Sequence, residues 1–390
     1  MADAENARER ETTFSRFLLP VLGVLGIVII LVGVRLLADP RAGQNILASI
    51  YDLIGNSEGA EALRRGLGDV LLAKIVLAVV ALAIGVGGVW MLYSGVSALV
   101  GLLNPGLQQR IIPWVFIVPA LLLVGIYLVY PTIATILASF TDGTGGDFLR
   151  HYRDITAGPF LLIFRNNLIW LIVGTLGSVG LGLLIAGLVD RVRREALAKT
   201  FIFLPLAISL VGASVIWRFV YQWRPEGQPQ YGLLNAVWTA FGGDPVPWTS
   251  TPPGNTFALI VIMIWLQTGF AMVVLSAAIK GVSVEVIEAA RLDGANERQT
   301  FFQVIVPIIK GSIITVATTI AIVVLKIFDI VYVMTGGRNE TDVVANRMFL
   351  EMFQFFNDGR AAALATVLFL AVLPIMIINV RNLRRQGIGA

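Results

Sequence analysis

The chain has 390 residues, 57% of them hydrophobic and only 14% charged, with a mean hydropathy of +0.82. A soluble core of this size cannot hide so much apolar surface, so the excess faces lipid. The net charge of +4 comes largely from basic residues flanking apolar runs, an orientation signal of membrane proteins, so nucleic acid is not an expected partner. Cysteine is absent, which removes disulfides and thiol chemistry.

About 20 apolar residues carry a helix across a bilayer, and eight stretches qualify: 17–37, 71–99, 114–137, 168–189, 201–220, 257–279, 313–334 and 362–380. The expected fold is an all-α membrane protein of about eight transmembrane helices. The first stretch is too long for a signal-peptide core and lacks a small-x-small cleavage site, so it reads as a retained helix. An even count puts both termini on one side. Arg191, Arg193, Arg194 and Lys199 after the fourth span, with Arg381, Arg384 and Arg385 after the eighth, assign that side to the cytoplasm of a multi-pass protein. The opposite loops hold Arg64, Arg65, Arg150 and Arg153, interspersed with Glu58, Glu61, Asp147 and Asp154, so the bias is moderate.

Outer loops are long, at 38–70, 141–167, 221–256 and 335–361. Within the third, Leu233, Leu234, Val237, Trp238 and Phe241 predict a short amphipathic helix on the membrane surface, with Trp223, Trp238 and Trp248 at headgroup level. The lone histidine, His151, reads as a solvated loop residue, since one imidazole makes no metal cluster. Gly174, Ser178, Gly182 and Ala186 recur every fourth position of the fourth span, which suits close helix packing within the subunit more than a dimer seam. Pro119, Pro131, Pro205 and Pro374 sit inside spans, as kinked helices of transporters tolerate.

Inner loops are short except for 280–307, which contains EAARLDGANERQTFFQVIVP. Its residues predict two short helices joined at a glycine. Ser283 caps the first, Glu285 complements its dipole, Glu288 pairs with Arg291, and Gly294 ends it. Asn296 and Gln299 form a capping box for the second, and Pro307 closes it. Ala289 and Ala290 give a smooth face beside Glu288, a shape that enters a groove on another protein. Asp293 stands at a helix C-terminus, where the dipole disfavours an acid, so a tertiary or partner contact is expected for it. A linker resting on headgroups would prefer Lys and Arg to this mixture.

Glu288, Ala289, Ala290, Gly294 and, after nine residues, Val304, Ile305, Val306 and Pro307 resemble the EAA signature of permease subunits in bacterial ABC importers. The resemblance implies a type I ABC importer transmembrane domain in a bacterial inner membrane, in which this loop is a coupling helix docked into a separate ATPase. The family's motif maps the coupling role onto Glu288, Ala289, Ala290, Asp293, Gly294 and Pro307. Further residues resemble the carbohydrate branch and its maltose-permease-like first subunit: Ser139 to Asp142, Asn166 and Asn167, Tyr231 to Asn235, and Phe328 to Gly337. The tail, especially Phe355 to Ala363, is most similar to α-glucoside permeases. Two departures stand out: Gly311 where the family often has proline, and Arg338 where a Gly-Gly-Pro run often ends. The likeness covers about residues 112–385, which divides the chain into an N-terminal extension, 1–110, with two spans, and a six-span permease core, 111–390.

A sugar presents hydroxyls and apolar ring faces, so its site needs polar side chains beside aromatics. Met263, Gln267 and Phe270 share one face of the sixth span, and Gln267 is costly in lipid. Lys326 and Asp329 lie one turn apart in the seventh, where a lone charge costs roughly 2.5–3.5 kcal/mol, so they should pair or face water. By resemblance these two spans hold the sugar during transfer, which makes Gln267, Phe270, Lys326 and Asp329 its candidate contacts. Snorkelling to the interface accounts for Arg218. The resemblance also implies the partners: a second homologous permease, an ATPase dimer carrying the ATP and magnesium, and an extracytoplasmic sugar-binding protein. This chain has no GxxxxGK[ST] loop and no expected cofactor of its own. The competing reading, an ion-coupled carrier or a channel, predicts several acids inside the spans, and only Asp329 qualifies. A membrane enzyme lacks paired carboxylates, histidine clusters or a nucleophile with a base.

Overall fold

A computed structural model describes residues 41–65, 70–101, 103–141, 147–158, 160–190 and 192–385, with isolated positions between 21 and 29. The expected first span, Asp142 and Arg191 fall essentially outside the described residues. Among those described, every regular element is helical. Five helices are long and apolar enough to cross a membrane, and two bent pairs bring the number to seven. These seven correspond to the second to eighth expected spans.

Contacts divide the chain into two compact units, Met1–Tyr130 and Pro131–Ala390. In the first unit, α1 (Ala42–Leu53) and α2 (Ser57–Arg64) bury Leu47, Ala48, Ala60 and Leu63 against one another. The Asn56 side chain caps α2 by accepting from the Gly59 N–H at 3.0 Å. The helix α3 (Val70–Gly101) is apolar around its whole circumference, and the Pro105–Val124 stretch of α4 (Pro105–Ala138) buries no residue. Such surfaces suit lipid, not water.

In the second unit, α5 (Arg150–Ile155) precedes the span α6 (Phe160–Val189). The centre of the unit is α10 (Gly254–Lys280), with Leu259, Ile262, Met263, Met272 and Leu275 fully buried. The small-residue face of α6 lies against it: a Cβ on Gly182 would stand 2.9 Å from the Met272 amide nitrogen, and one on Gly177 would meet the Ile264 side chain. That face is therefore filled inside the chain, as expected for close backbone approach.

Two expected spans are broken. The fifth consists of α7 (Glu195–Phe203), a tight turn at Leu204–Ala207 containing Pro205, and α8 (Leu210–Val220), bent by 102°. Ser209 restarts the helix by accepting from the Gly212 N–H at 3.0 Å. In the seventh, α13 (Lys310–Leu325) ends where the Asn167 side chain donates to the Leu325 carbonyl at 3.0 Å, and a separate short helix, α14 (Asp329–Met334), follows. The two half-helices α8 and α14 pack together, and Arg218 donates to the Val333 carbonyl at 2.8 Å. Arg218 thus satisfies a helix end instead of merely reaching for the interface.

The turn after α14 keeps two left-handed glycines, Gly336 and Gly337, at φ +61° and +79°, so Arg338 in the third place disturbs neither. Asn166 pins this turn by donating to the Glu340 and Asp342 carbonyls at 2.6 and 2.9 Å, and Asn255 donates to the Asn339 carbonyl at 2.6 Å. The expected surface helix is α9 (Leu233–Ala240). Its buried Asn235 donates to the Gln222 and Val246 carbonyls and accepts from Val246 N–H and Trp248 Nε1, all within 3.0–3.1 Å. Trp223 and Trp238 remain exposed, whereas Trp248 turns inward to this hub. His151 also departs from expectation: it is half-buried on α5, its ring against Gly359 and its Nε2 3.3 Å from the Thr141 carbonyl oxygen. The remaining elements are α11 (Val284–Leu292), α12 (Glu297–Ile308), α15 (Val344–Phe353) and α16 (Asp358–Arg385).

Candidate functional site

The segment between α10 and α13 folds as two helices set by local signals. Gly294, at φ +83°, allows the chain to reverse, with Gly294 N–H donating to the Arg291 carbonyl and Ala295 N–H to the Ala290 carbonyl at 3.0 Å each. That is the paired 5→2 and 6→1 pattern of a left-handed helix stop. Asn296 and Gln299 then exchange side-chain to backbone bonds at 2.9 Å, completing the capping box. Ser283 occupies the first cap position without a side-chain bond. Arg291 pairs with Glu297 at 3.0 Å, across the bend, and not with Glu288. The pairing couples the two helices at the expense of the expected intrahelical contact.

What remains bare is informative. Glu285, Glu288, Ala289 and Leu292 follow an i, i+3, i+4, i+7 spacing and are all exposed, Leu292 at 89%. Among the described residues, the carboxylates of Glu288 and Asp293 have no ion pair and no hydrogen bond. Ala290 is half-buried, and Ile287 packs on the opposite side against Val282, Ile305 and Ile309. Phe301 presses on Gly187 of α6, where a Cβ would come within 2.6 Å of its ring. Pro307 lies near the end of α12, which turns 71° into α13 just beyond it. The result is a rigid platform presenting an acid and an apolar knob.

The candidate passage residues are less concentrated. Met263 is wholly buried in the core, while Gln267 and Phe270 are half-buried. Lys326 and Asp329 do not pair: the helix stops at Leu325, Lys326 is exposed at its cap and Asp329 begins the next helix, half-buried. Breaking the helix removes the geometry that one turn of separation presupposes. Sequence reasoning missed the aromatic group that the break brings together. Phe328 stacks on Tyr332 with ring centroids 5.0 Å apart, and both contact Phe349 at 5.2 Å. It also missed a polar cluster near Lys280. There the Lys199 ammonium donates to Asp190 at 2.7 Å, to Glu195 at 2.6 Å and to Ser276. Only its Glu195–Lys199 spacing of four was visible in the sequence.

Residues 178–386 match the family described as binding-protein-dependent transport system inner membrane component. The chain belongs to that family. The permease is 52% identical over 274 residues to the osmoprotective compounds uptake permease protein GgtC of Synechocystis, covering 70% of this chain and 98% of that protein. It is 49% identical over 290 residues to the alpha-glucoside transport system permease protein AglF of Rhizobium meliloti, covering 73% and 86%. Its fold matches a chain in the crystal structure of a bacterial alginate ABC transporter in complex with alginate pentasaccharide-bound periplasmic protein. The TM-score there is 0.62 at 20% identity, over 73% of this chain and 98% of that one. The all-helical importer permease architecture expected from the sequence is therefore the one present. The permease is a membrane transport component, not an enzyme.

Proposed function

We propose that the chain is the first of two permease subunits of an ATP-driven sugar importer, with an α-glucoside or a related oligosaccharide as its cargo. The cargo assignment draws on AglF, whose name specifies alpha-glucoside transport, and on the Phe355 to Ala363 tail. The second permease completes the pathway, and an extracytoplasmic binding protein delivers the sugar. ATP and magnesium are handled by a separate ATPase pair. Both termini and the 280–307 segment lie in the cytoplasm, where α11 docks into the ATPase.

The observation that carries this reading is the bare face of α11: Glu288 is exposed and unpaired among the described residues, one turn from the exposed Leu292, on a helix whose C-terminal end is fixed by the Gly294 stop. A mere connector would leave no such face on a rigid mount. When the ATPase pair closes on ATP, α11 is drawn with it and the pathway turns outward. Gln267, Phe270, Lys326 and Asp329 line the passage, with the α8 and α14 half-helices offering the interrupted backbone that transport sites use. The test is Glu288→Lys in the assembled importer. Uptake should be lost while expression and membrane insertion stay normal; normal uptake would remove α11 from the docking contact.

A further inference from the structure

The docking contact itself makes no use of the polar cluster at the Lys280 end of the bundle. Lys199 of α7 directs its three ammonium protons to three acceptors: Asp190 at the end of α6, Glu195 at the start of α7, and Ser276 in the last turns of α10. Ser276 is itself buried and donates to the same Asp190 oxygen at 2.7 Å, and Lys280, the last residue of α10, pairs with Glu195. We propose that Lys199 is a positioning residue for transport: it fuses the α6–α7 turn to the root of the docking helix, so that the two move as one body. The inference rests on the docking reading above.

Three observations support it. First, α11 begins at Val284, only four residues beyond Lys280, so the cluster grips the docking helix at its base. Second, the other arm of the docking segment is tied to the same helix, α6, through Phe301 against Gly187. Third, α7 leads directly to the 102° break, beyond which α8 packs on α14 and Arg218 holds the Val333 carbonyl. A displaced docking helix therefore has a continuous, polar-locked route to the broken spans. Ion pairs with little exposure, such as Lys199 with Asp190, are poor stabilisers compared with apolar packing of the same volume, and in some folds their role is to fix register. Register is what a transmitting joint needs.

The experiment uses the complete importer in proteoliposomes, with sugar uptake and ATP hydrolysis measured side by side. Lys199→Met should leave assembly and hydrolysis near the parent level while uptake falls about tenfold, within the usual range of coupling free energies. The chain has no native cysteine, so Glu195→Cys with Lys280→Cys can be bridged by a bismaleimide. Bridging should leave uptake intact when Lys199 is present and restore most of it in the Lys199→Met background. Lys199→Arg should keep the parent ratio of uptake to hydrolysis. An unchanged ratio in Lys199→Met, or a bridge that blocks uptake with Lys199 present, overturns the proposal. If Lys199→Met fails to assemble, the bridged pair with Lys199 in place decides the matter alone. Normal uptake in Glu288→Lys would instead sink the docking reading.

Discussion

Leu292→Ala isolates docking from folding. With 89% of the Leu292 side chain exposed, almost all of it is available for burial in a partner's groove and almost none supports the permease alone. The substitution removes three carbons, at about 0.8 kcal/mol each, or roughly 2.4 kcal/mol if the groove closes over them. That corresponds to about 50-fold weaker ATPase association. Alanine is at least as good a helix former as leucine, so α11 should not lose helicity. The assay is a titration of purified ATPase against the permease pair in detergent, beside a thermal melt of the pair without ATPase. Weaker association with an unchanged melt is expected. An unchanged affinity would show that Leu292 faces solvent or lipid in the assembly; a lowered melt would show that it packs within the permease pair, and either result refutes the reasoning.

Gly182→Ala should destabilise the permease by roughly 1–3 kcal/mol, because the new Cβ would run into the Ala271 Cβ and stand 2.9 Å from the Met272 amide nitrogen. Adding Ala271→Gly should recover part of the loss in a melting experiment, a coupling that independent sites would not show. Burial pushes the Asp342 carboxyl above the usual carboxylate range, against the lowering effect of bonds from Asn346 and the Val343 N–H. Because the folded value is raised, this group's contribution to stability is complete below the ordinary carboxylate pKa and is lost as pH rises through the folded value. Asp342→Asn should therefore flatten the melting temperature between acid and neutral pH, and an undiminished slope counts against the assignment. Gln267→Leu should change sugar preference or capacity without weakening ATPase association; identical uptake kinetics would take Gln267 out of the passage.

What could be read in advance follows from where each determinant lies. Gly294 and the Asn296–Gln299 box act over three or four residues, so the bend of the 280–307 segment was visible in the sequence, as was the packing face of α6, whose period is that of a helix. Arg291 defeated the same logic, because Glu297 lies six residues away and comes within reach only once the bend has formed. For Lys326 and Asp329 the sequence left pairing and facing water both open. Pairing needs an unbroken helix, and nothing within a turn of Leu325 announces the stop; the donor that caps its carbonyl is Asn167, 158 residues earlier in the chain.

The failures share a physical origin. In lipid no water satisfies the carbonyls that a break sets free, so an interrupted span needs polar groups brought in from elsewhere. Asn167 does this for α13, Arg218 for α14, and Asn166 and Asn255 for the turn that follows. These side chains lie in apolar stretches or at their margins, and nothing in their period tells which backbone group each one meets. An amide or guanidinium so placed is costly unless it meets a freed backbone group, and a freed backbone group is costly unless it meets such a side chain. Breaks and buried polar residues in this permease therefore depend on each other. That mutual need holds the half-helices α8 and α14 in one register.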